Sequence, residues 1–210
     1  MIKLSTLFLC AALGTSLVKA QTVKELTHIS SYVNGVLETA EVVAYDADHK
    51  QVYFTSSSEN KLTILDVFDV NNPTKMLELD LAPYGGGPNS VDYSNGIVAV
   101  AIENNIKTEN GLVVFFDFNG LYLGQIAVGA LPDMLTFTPN GNKIVVANEG
   151  EPSSDYTVDP EGSISVIDLT SGVGSATVTH ITFEYYNDKK VSLQNKGIRI
   201  FGNNGNASVA

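Results

Sequence analysis

The residues of this chain with the widest chemical range are oxygen donors. Glu41, Asn89 and Asp133 each stand at the head of a short apolar segment, and Asn148, Glu149 and Glu151 open an acidic stretch that continues through Asp155, Tyr156, Asp159 and Glu161. Carboxylates and amides gathered at one opening match the oxygen donors that Ca²⁺ takes, about six to eight at roughly 2.3–2.6 Å. The expected ligand-binding set is therefore Glu41, Asn89, Asp133, Asn148, Glu149, Glu151 and Tyr156, with Glu41, Asp133 and Glu149 as metal-holding members and Ca²⁺ as the cofactor. An ordinary structural use competes with this reading. Asn and Asp at strand entries make Asx turns, and Asp159-Pro160-Glu161-Gly162 is a turn sequence in its own right. Asp66, Asp117 and Asp168 are expected to close strand ends by accepting hydrogen bonds from loop amides.

Familiar catalytic signatures are missing. The chain has no G-x-S-x-G elbow and no H-E-x-x-H pair, and Gly85-Gly86-Gly87-Pro88 lacks the lysine and following helix of a phosphate loop. Its three histidines, His28, His49 and His180, fall on an outer strand, a turn and another outer strand, which disfavours a His-based triad or a zinc centre. Tyr84 and Tyr156 lie near the proposed opening, where they would either stack on a ligand or pack a loop. No catalytic residue can be named.

The elements that must hold these donors are short strands. Alternating segments rich in Val, Ile, Thr, Tyr and Phe recur between Gly, Pro, Asn and Asp clusters. Three of them end in aspartate at intervals of 51 residues, at Asp66, Asp117 and Asp168. A fixed period near 50 residues indicates a propeller or array, and four antiparallel strands per copy make one propeller blade. The spacing predicts an all-β, incomplete propeller with blade one at 41–81, blade two at 89–128 and blade three at 133–186. Residues 25–33 read as a strand of a closing blade, and 187–210 as a helix and loop leading to a further one. A two-sheet sandwich would not need the period. Three blades cannot close a ring, so the chain is expected to be the N-terminal part of a longer protein. From strand two to strand three, blade three spends about 14 residues against roughly eight in blade two, and such excess length is usually functional.

Residues 1–20 read as a secretory signal peptide: Lys3, an apolar run, then Val18-Lys19-Ala20 before Gln21. Leu9 before Cys10 argues against a lipoprotein signal. Cleavage removes the one cysteine, leaving a thiol-free chain that fits a bacterial exported protein. It also removes Lys3 and Lys19 and no acid, deepening the formal charge from −11 to −13. That surface repels phosphate backbones and anionic membranes, so nucleic acid is an unsuitable partner, while cations are attracted. No second apolar run of membrane-spanning length follows.

The third copy resembles a YVTN-type blade through Pro132, Pro139-Asn140-Gly141 and Val146-Ala147-Asn148. More narrowly, the chain resembles the choice-of-anchor I family of exported bacterial proteins. The carrying motifs are Ala40 to Asp46, Gly87-Pro88-Asn89-Ser90-Val91, Leu131-Pro132-Asp133-Met134, Asn148-Glu149-Gly150-Glu151-Pro152, Asp155 to Ser163, and Gly197-Ile198-Arg199-Ile200-Phe201-Gly202. The resemblance implies a propeller at the cell surface, attached by varied C-terminal signals. The functional expectation is a secreted or surface binding module for an extracellular protein, glycan or cation. The alternative is a Ca²⁺-dependent phosphoesterase like the propeller phytases, which would need close carboxylates and a basic residue to hold phosphate. Lys107 is the clear base in reach.

Overall fold

The structure, a computed structural model, describes residues 26–35 and 40–200. Twelve strands form three separate four-stranded antiparallel sheets. Blade one comprises β1 (Val43–Asp46), β2 (Gln51–Ser56), β3 (Lys61–Asp66) and β4 (Thr74–Asp80). Blade two comprises β5 (Gly87–Ser94), β6 (Ile97–Glu103), β7 (Asn110–Asp117) and β8 (Tyr122–Ala130). Blade three comprises β9 (Pro132–Phe137), β10 (Lys143–Asn148), β11 (Ser163–Asp168) and β12 (Thr177–Thr182). Each sheet runs in chain order, so every connection is a hairpin.

Local chemistry sets these turns. Asn95 and Gly96 join β5 to β6 with φ of 51° and 81°, the left-handed pair that a two-residue hairpin needs to match strand twist. Asp66, Asp117 and Asp168 each accept backbone N–H groups of the following loop, from Phe68 at 2.7 Å, Asn119 at 2.8 Å and Thr170 at 2.9 Å. The strand-closing role expected for them holds.

The middle blade explains the continuous apolar runs. In β6, Val98, Val100 and Ile102 pack toward blade one, against Tyr53, Leu62 and Ile64. Ala99 and Ala101 alternate with them and pack toward blade three, against Leu135, Ile144, Val146 and Ile167. Strand β7 divides in the same way, with Val114 and Phe116 on one side and Val113 and Phe115 on the other. A strand buried on both faces has no polar side to alternate with. Each such large side chain contributes about 1.5–3 kcal/mol by leaving water.

The innermost strand of a blade is a sheet edge, and an edge leaves backbone groups unpaired. Blade two supplies partners to blade three. Ser90 Oγ accepts the Leu135 N–H at 3.2 Å, and Asp92 Oδ2 accepts the Phe137 N–H at 2.8 Å. Apolar stacking and these side-chain bonds together fix one blade against the next.

Two details differ from the expected bounds. Within the proposed closing strand at 25–33, residues 26–33 carry no ladder among the described residues; they are tied by Ser30 Oγ donating to Val70 O at 2.6 Å and by Tyr32 against Phe54. A strand needs a neighbour for its ladder, and no described strand runs beside this segment. Blade three closes at Thr182 rather than at 186, because Glu184–Lys189 coil into a 3₁₀ helix that leads into α1 (Lys190–Asn195). The proposed signal peptide and residues 201–210 lie outside the described residues. No described helix is long and apolar enough to cross a membrane.

Candidate functional site

Blade entries and the loops from second to third strands share one end of each sheet, here the upper end. The pairings show this: Glu41 N donates to Thr55 O at 3.1 Å, Gly87 pairs with Glu103, and Pro132 pairs with Asn148. The entry residues Glu41, Asn89 and Asp133 are thereby brought to the same end as loops 57–60, 104–109 and 149–162.

One of the three entry residues, Asn89, joins neighbouring blades directly. Ser57 Oγ lies 2.7 Å from Glu41 Oε2 and 2.6 Å from Pro88 O, so its single proton is contested by a carboxylate of its own blade and a carbonyl of blade two. Asn89 Nδ2 donates to Pro132 O at 3.3 Å, linking blade two to blade three. Ser57, unremarked in the sequence, thus organises the blade-one side. Its signal was a serine just past a strand end, which many loops carry.

Asp133 differs. It is exposed; it and Glu151 each lie within electrostatic reach of Glu149, and none of these three carboxylates has a hydrogen-bond partner among the described residues. Backbone bonds fix Glu149: its N–H donates to Leu131 O at 2.8 Å, and the next amide, Gly150, donates to Ala130 O at 3.2 Å. Glu149 is exposed as a residue, but partial desolvation of its carboxyl raises it above its ordinary value, Asp133 and Glu151 push it further, and Lys107 opposes them. Lys107 itself sits 3.6 Å from Glu103 Oε2. An open cleft of about 380 Å³ runs between residues 106–108 and 151–154, with Lys107 and Glu151 on its walls.

The rest of the acidic loop is divided in use. Asp155 Oδ1 accepts from Ser153 Oγ at 2.7 Å, Thr157 N at 3.1 Å and Thr157 Oγ at 2.8 Å, and these bonds bring its carboxyl down to about 2. That turn presents Tyr156, half exposed, with φ of 57°. Glu161 Oε1 accepts the Phe183 N–H at 3.0 Å. Asn148 is buried and donates to Ser163 Oγ at 3.1 Å and Ser165 Oγ at 2.9 Å, so it acts beneath the surface. Tyr84 packs parallel to Tyr122 and edge-on to Phe116, which makes it a packing residue.

The structure therefore sets Asp133 and Glu151 within electrostatic reach of Glu149, with Tyr156 in the same loop, and leaves Glu41 bonded to Ser57 within blade one and Asn89 in a bond between blades. Among the described residues, no group of three or more His, Cys, Asp or Glu is placed as ligands of one ion. Glu41, Asp133 and Glu149 do not form a ready-made Ca²⁺ cage.

Stacked four-stranded antiparallel sheets of this kind are the blades of a β-propeller, and the described residues form three of them. It belongs to the choice-of-anchor I domain family, whose profile matches residues 41–209. That membership places it among propeller modules of exported or surface-attached proteins. No curated protein sequence matches it. Among solved structures, hydrazine synthase of Kuenenia stuttgartiensis is similar with a TM-score of 0.51 and 18% identity, covering 68% of this chain and 38% of its own. Sqt1 of Saccharomyces cerevisiae gives 0.50 and 12%, covering 68% and 35%. A putative 6-phosphogluconolactonase of Bacteroides fragilis gives 0.50 and 17%, covering 66% and 38%. At such identities the likeness concerns fold alone. The chain spans little more than a third of the length of these structures.

Proposed function

We propose that this propeller is a binding module that engages an extracellular protein or glycan through Asp133, Glu149 and Glu151 at its upper end. Ca²⁺ is the proposed bridging ion, with part of its coordination supplied by oxygens of the partner. Two or three carboxylates leave several of the roughly six to eight positions open, as a bridging ion requires.

The observation that carries this reading is Glu149. Its amide is fixed, its carboxylate has no hydrogen-bond partner among the described residues, and its ionisation is opposed by partial desolvation and by two neighbouring acids. A carboxylate held against its neighbours gives the fold nothing, and perturbed groups of this kind concentrate where ligands bind. Lys107, the cation a phosphoesterase would need, is shared with Glu103.

Calorimetric titration with CaCl₂ tests the proposal, using the full chain and the variants Asp133→Asn and Glu149→Gln. Binding heat in the parent protein that disappears in both variants is the expected result, with no release of phosphate from phytate or p-nitrophenyl phosphate. Ca²⁺-dependent phosphate release abolished by the same substitutions would replace the binding module with a hydrolase. Equal heats in all three proteins would remove Ca²⁺ from the account.

A further inference from the structure

We infer that a second and smaller site, between the outer parts of blades two and three, takes a single sugar residue through His180 and Glu161. This deepens the binding-module reading by naming a ligand class, but it uses different residues from the Asp133–Glu149 cluster.

The pocket has a volume of about 210 Å³ and lies at the upper ends of the sheets, where β7 starts, β8 ends, β11 starts and β12 ends. Asn110, Gly129, Glu161, Ser163, His180 and Thr182 line it. Pockets for drug-sized ligands run to about 300–1,000 Å³, so this one suits one small ring and not an oligomer.

A buried relay orients His180. The Asn148 amide donates to Ser165 Oγ at 2.9 Å, and Ser165 Oγ is 3.0 Å from His180 Nδ1. Both Asn148 and Ser165 are buried, at 3% and 0% exposure. With its oxygen already accepting from the amide, Ser165 has one proton to place, and His180 Nδ1 is the acceptor it meets among the described residues. We assign the Ser165 proton to Nδ1, which places the imidazole proton on Nε2. In that tautomer His180 offers a donor and not the free lone pair that a metal ligand needs.

Glu161 supplies the complementary acceptor. One of its oxygens takes the Phe183 N–H, which holds the side chain in place, and the other has no hydrogen-bond partner among the described residues. Gly129 keeps the floor clear. A Cβ there would come within 2.6 Å of Ser163 Oγ and 2.7 Å of Asn148 Cγ, so a larger residue would collide with the relay.

Ligand class follows by elimination. An anion would meet the Glu161 carboxylate, and a transition metal would meet an N–H where it needs a lone pair. A hydroxyl group satisfies both sides, accepting from His180 Nε2–H and donating to Glu161. Neighbouring hydroxyls on one ring can also reach the hydroxyl groups of Ser163 and Thr182. A neutral sugar fits that alternation of donors and acceptors.

Saturation-transfer NMR on the full chain tests the site, with D-galactose, D-mannose and N-acetyl-D-glucosamine as separate probes at millimolar concentration. At least one sugar is expected to show transfer. Its affinity should fall about fivefold or more in His180→Phe and in Glu161→Gln, as loss of one net hydrogen bond implies, and stay unchanged in Lys143→Met, at the opposite end of the blade. No transfer from any probe, or equal transfer in His180→Phe, would overturn the assignment. Long-range ¹H–¹⁵N spectra supply a readout independent of ligand. His180 should show the Nε2–H tautomer, with that preference lost in Ser165→Ala; an Nδ1–H tautomer in the parent chain would overturn the relay.

Discussion

Asp46 and Glu149 are carboxylates at opposite ends of the blades, and they are used in opposite ways. Asp46, at the lower end of β1, is fully buried and accepts from Asp48 N at 2.8 Å, His49 N at 3.0 Å and the His49 ring at 2.6 Å. Burial alone would raise its pKa, but these bonds and one from Tyr93 outweigh that and hold it below the ordinary value. Around it the His49 ring stacks on Phe118 and Tyr53 stacks on Tyr93, closing the lower end of blades one and two. Glu149 has an exposed side chain, no such bonds, and a raised pKa. The same functional group is structural where loop amides converge on it and available where they do not. Asp46, Asp66, Asp117 and Asp168 are taken up by amides of the lower turns, whereas Glu149 and Glu151 of the upper loop are not.

The largest effect should come from breaking the lower end. Asp46→Ala would remove a buried acceptor from the Asp48 and His49 amides and the His49 ring and cost about 3 kcal/mol in urea unfolding, since hydrogen bonds to a charged group contribute about 1.5–3 kcal/mol. Because its folded pKa is depressed, the Asp46 contribution is present above the ordinary value of 3.8 and is lost as pH falls through the lower folded value. The parent protein should therefore lose stability in that acid window, and the variant should lose less.

Next comes Gly150→Ala, which attacks the support of the upper loop. Gly150 has φ of 68°, and a Cβ there would meet Gly162 N at 2.7 Å. The expected cost is about 2 kcal/mol, and a displaced loop should let the Glu149 carboxyl return toward its ordinary value in an NMR titration.

Glu149→Gln should do the reverse of Asp46→Ala and raise the melting temperature at pH 7, by an amount worth less than about 1 kcal/mol. A raised carboxyl pKa means that ionisation costs stability. The gain should shrink as pH falls through the raised folded value and be absent below the ordinary value of 4.5. The smallest effect belongs to Lys143→Met, which removes the exposed pair between Lys143 and Asp168. Asp168 keeps the Thr170 N–H, so the melting temperature should stay within replicate scatter and be insensitive to salt.

Much of the fold was legible because propeller blades write their period into the chain. The three aspartates spaced by 51 residues and the two-sided run Ile97 to Ala101 depend only on strand geometry. Residues 25–33 read as a strand because alternation marks a capacity to pair, and the pairing itself needs a neighbour that the described strands do not supply. The upper end was legible as a place and not as a division of labour. Asp155 and Glu151 are both acids in one loop, yet one is enclosed by Ser153 and Thr157 and the other is open. That depends on side-chain direction, which spacing does not encode. His180 was set aside as an outer-strand residue, since nothing in its own neighbourhood of the chain announces Ser165 and Asn148 beneath it.

The central claim is that these carboxylates fall into two physical classes, and side-chain ¹³C NMR titration of Asp46 and Glu149 in one sample measures it directly. The account predicts that Asp46 titrates below 3.8 with or without CaCl₂. Glu149 should titrate above 4.5 in chelator and fall when Ca²⁺ is added. An ordinary titration for both residues, or a Glu149 value indifferent to Ca²⁺ at saturating concentration, would contradict it.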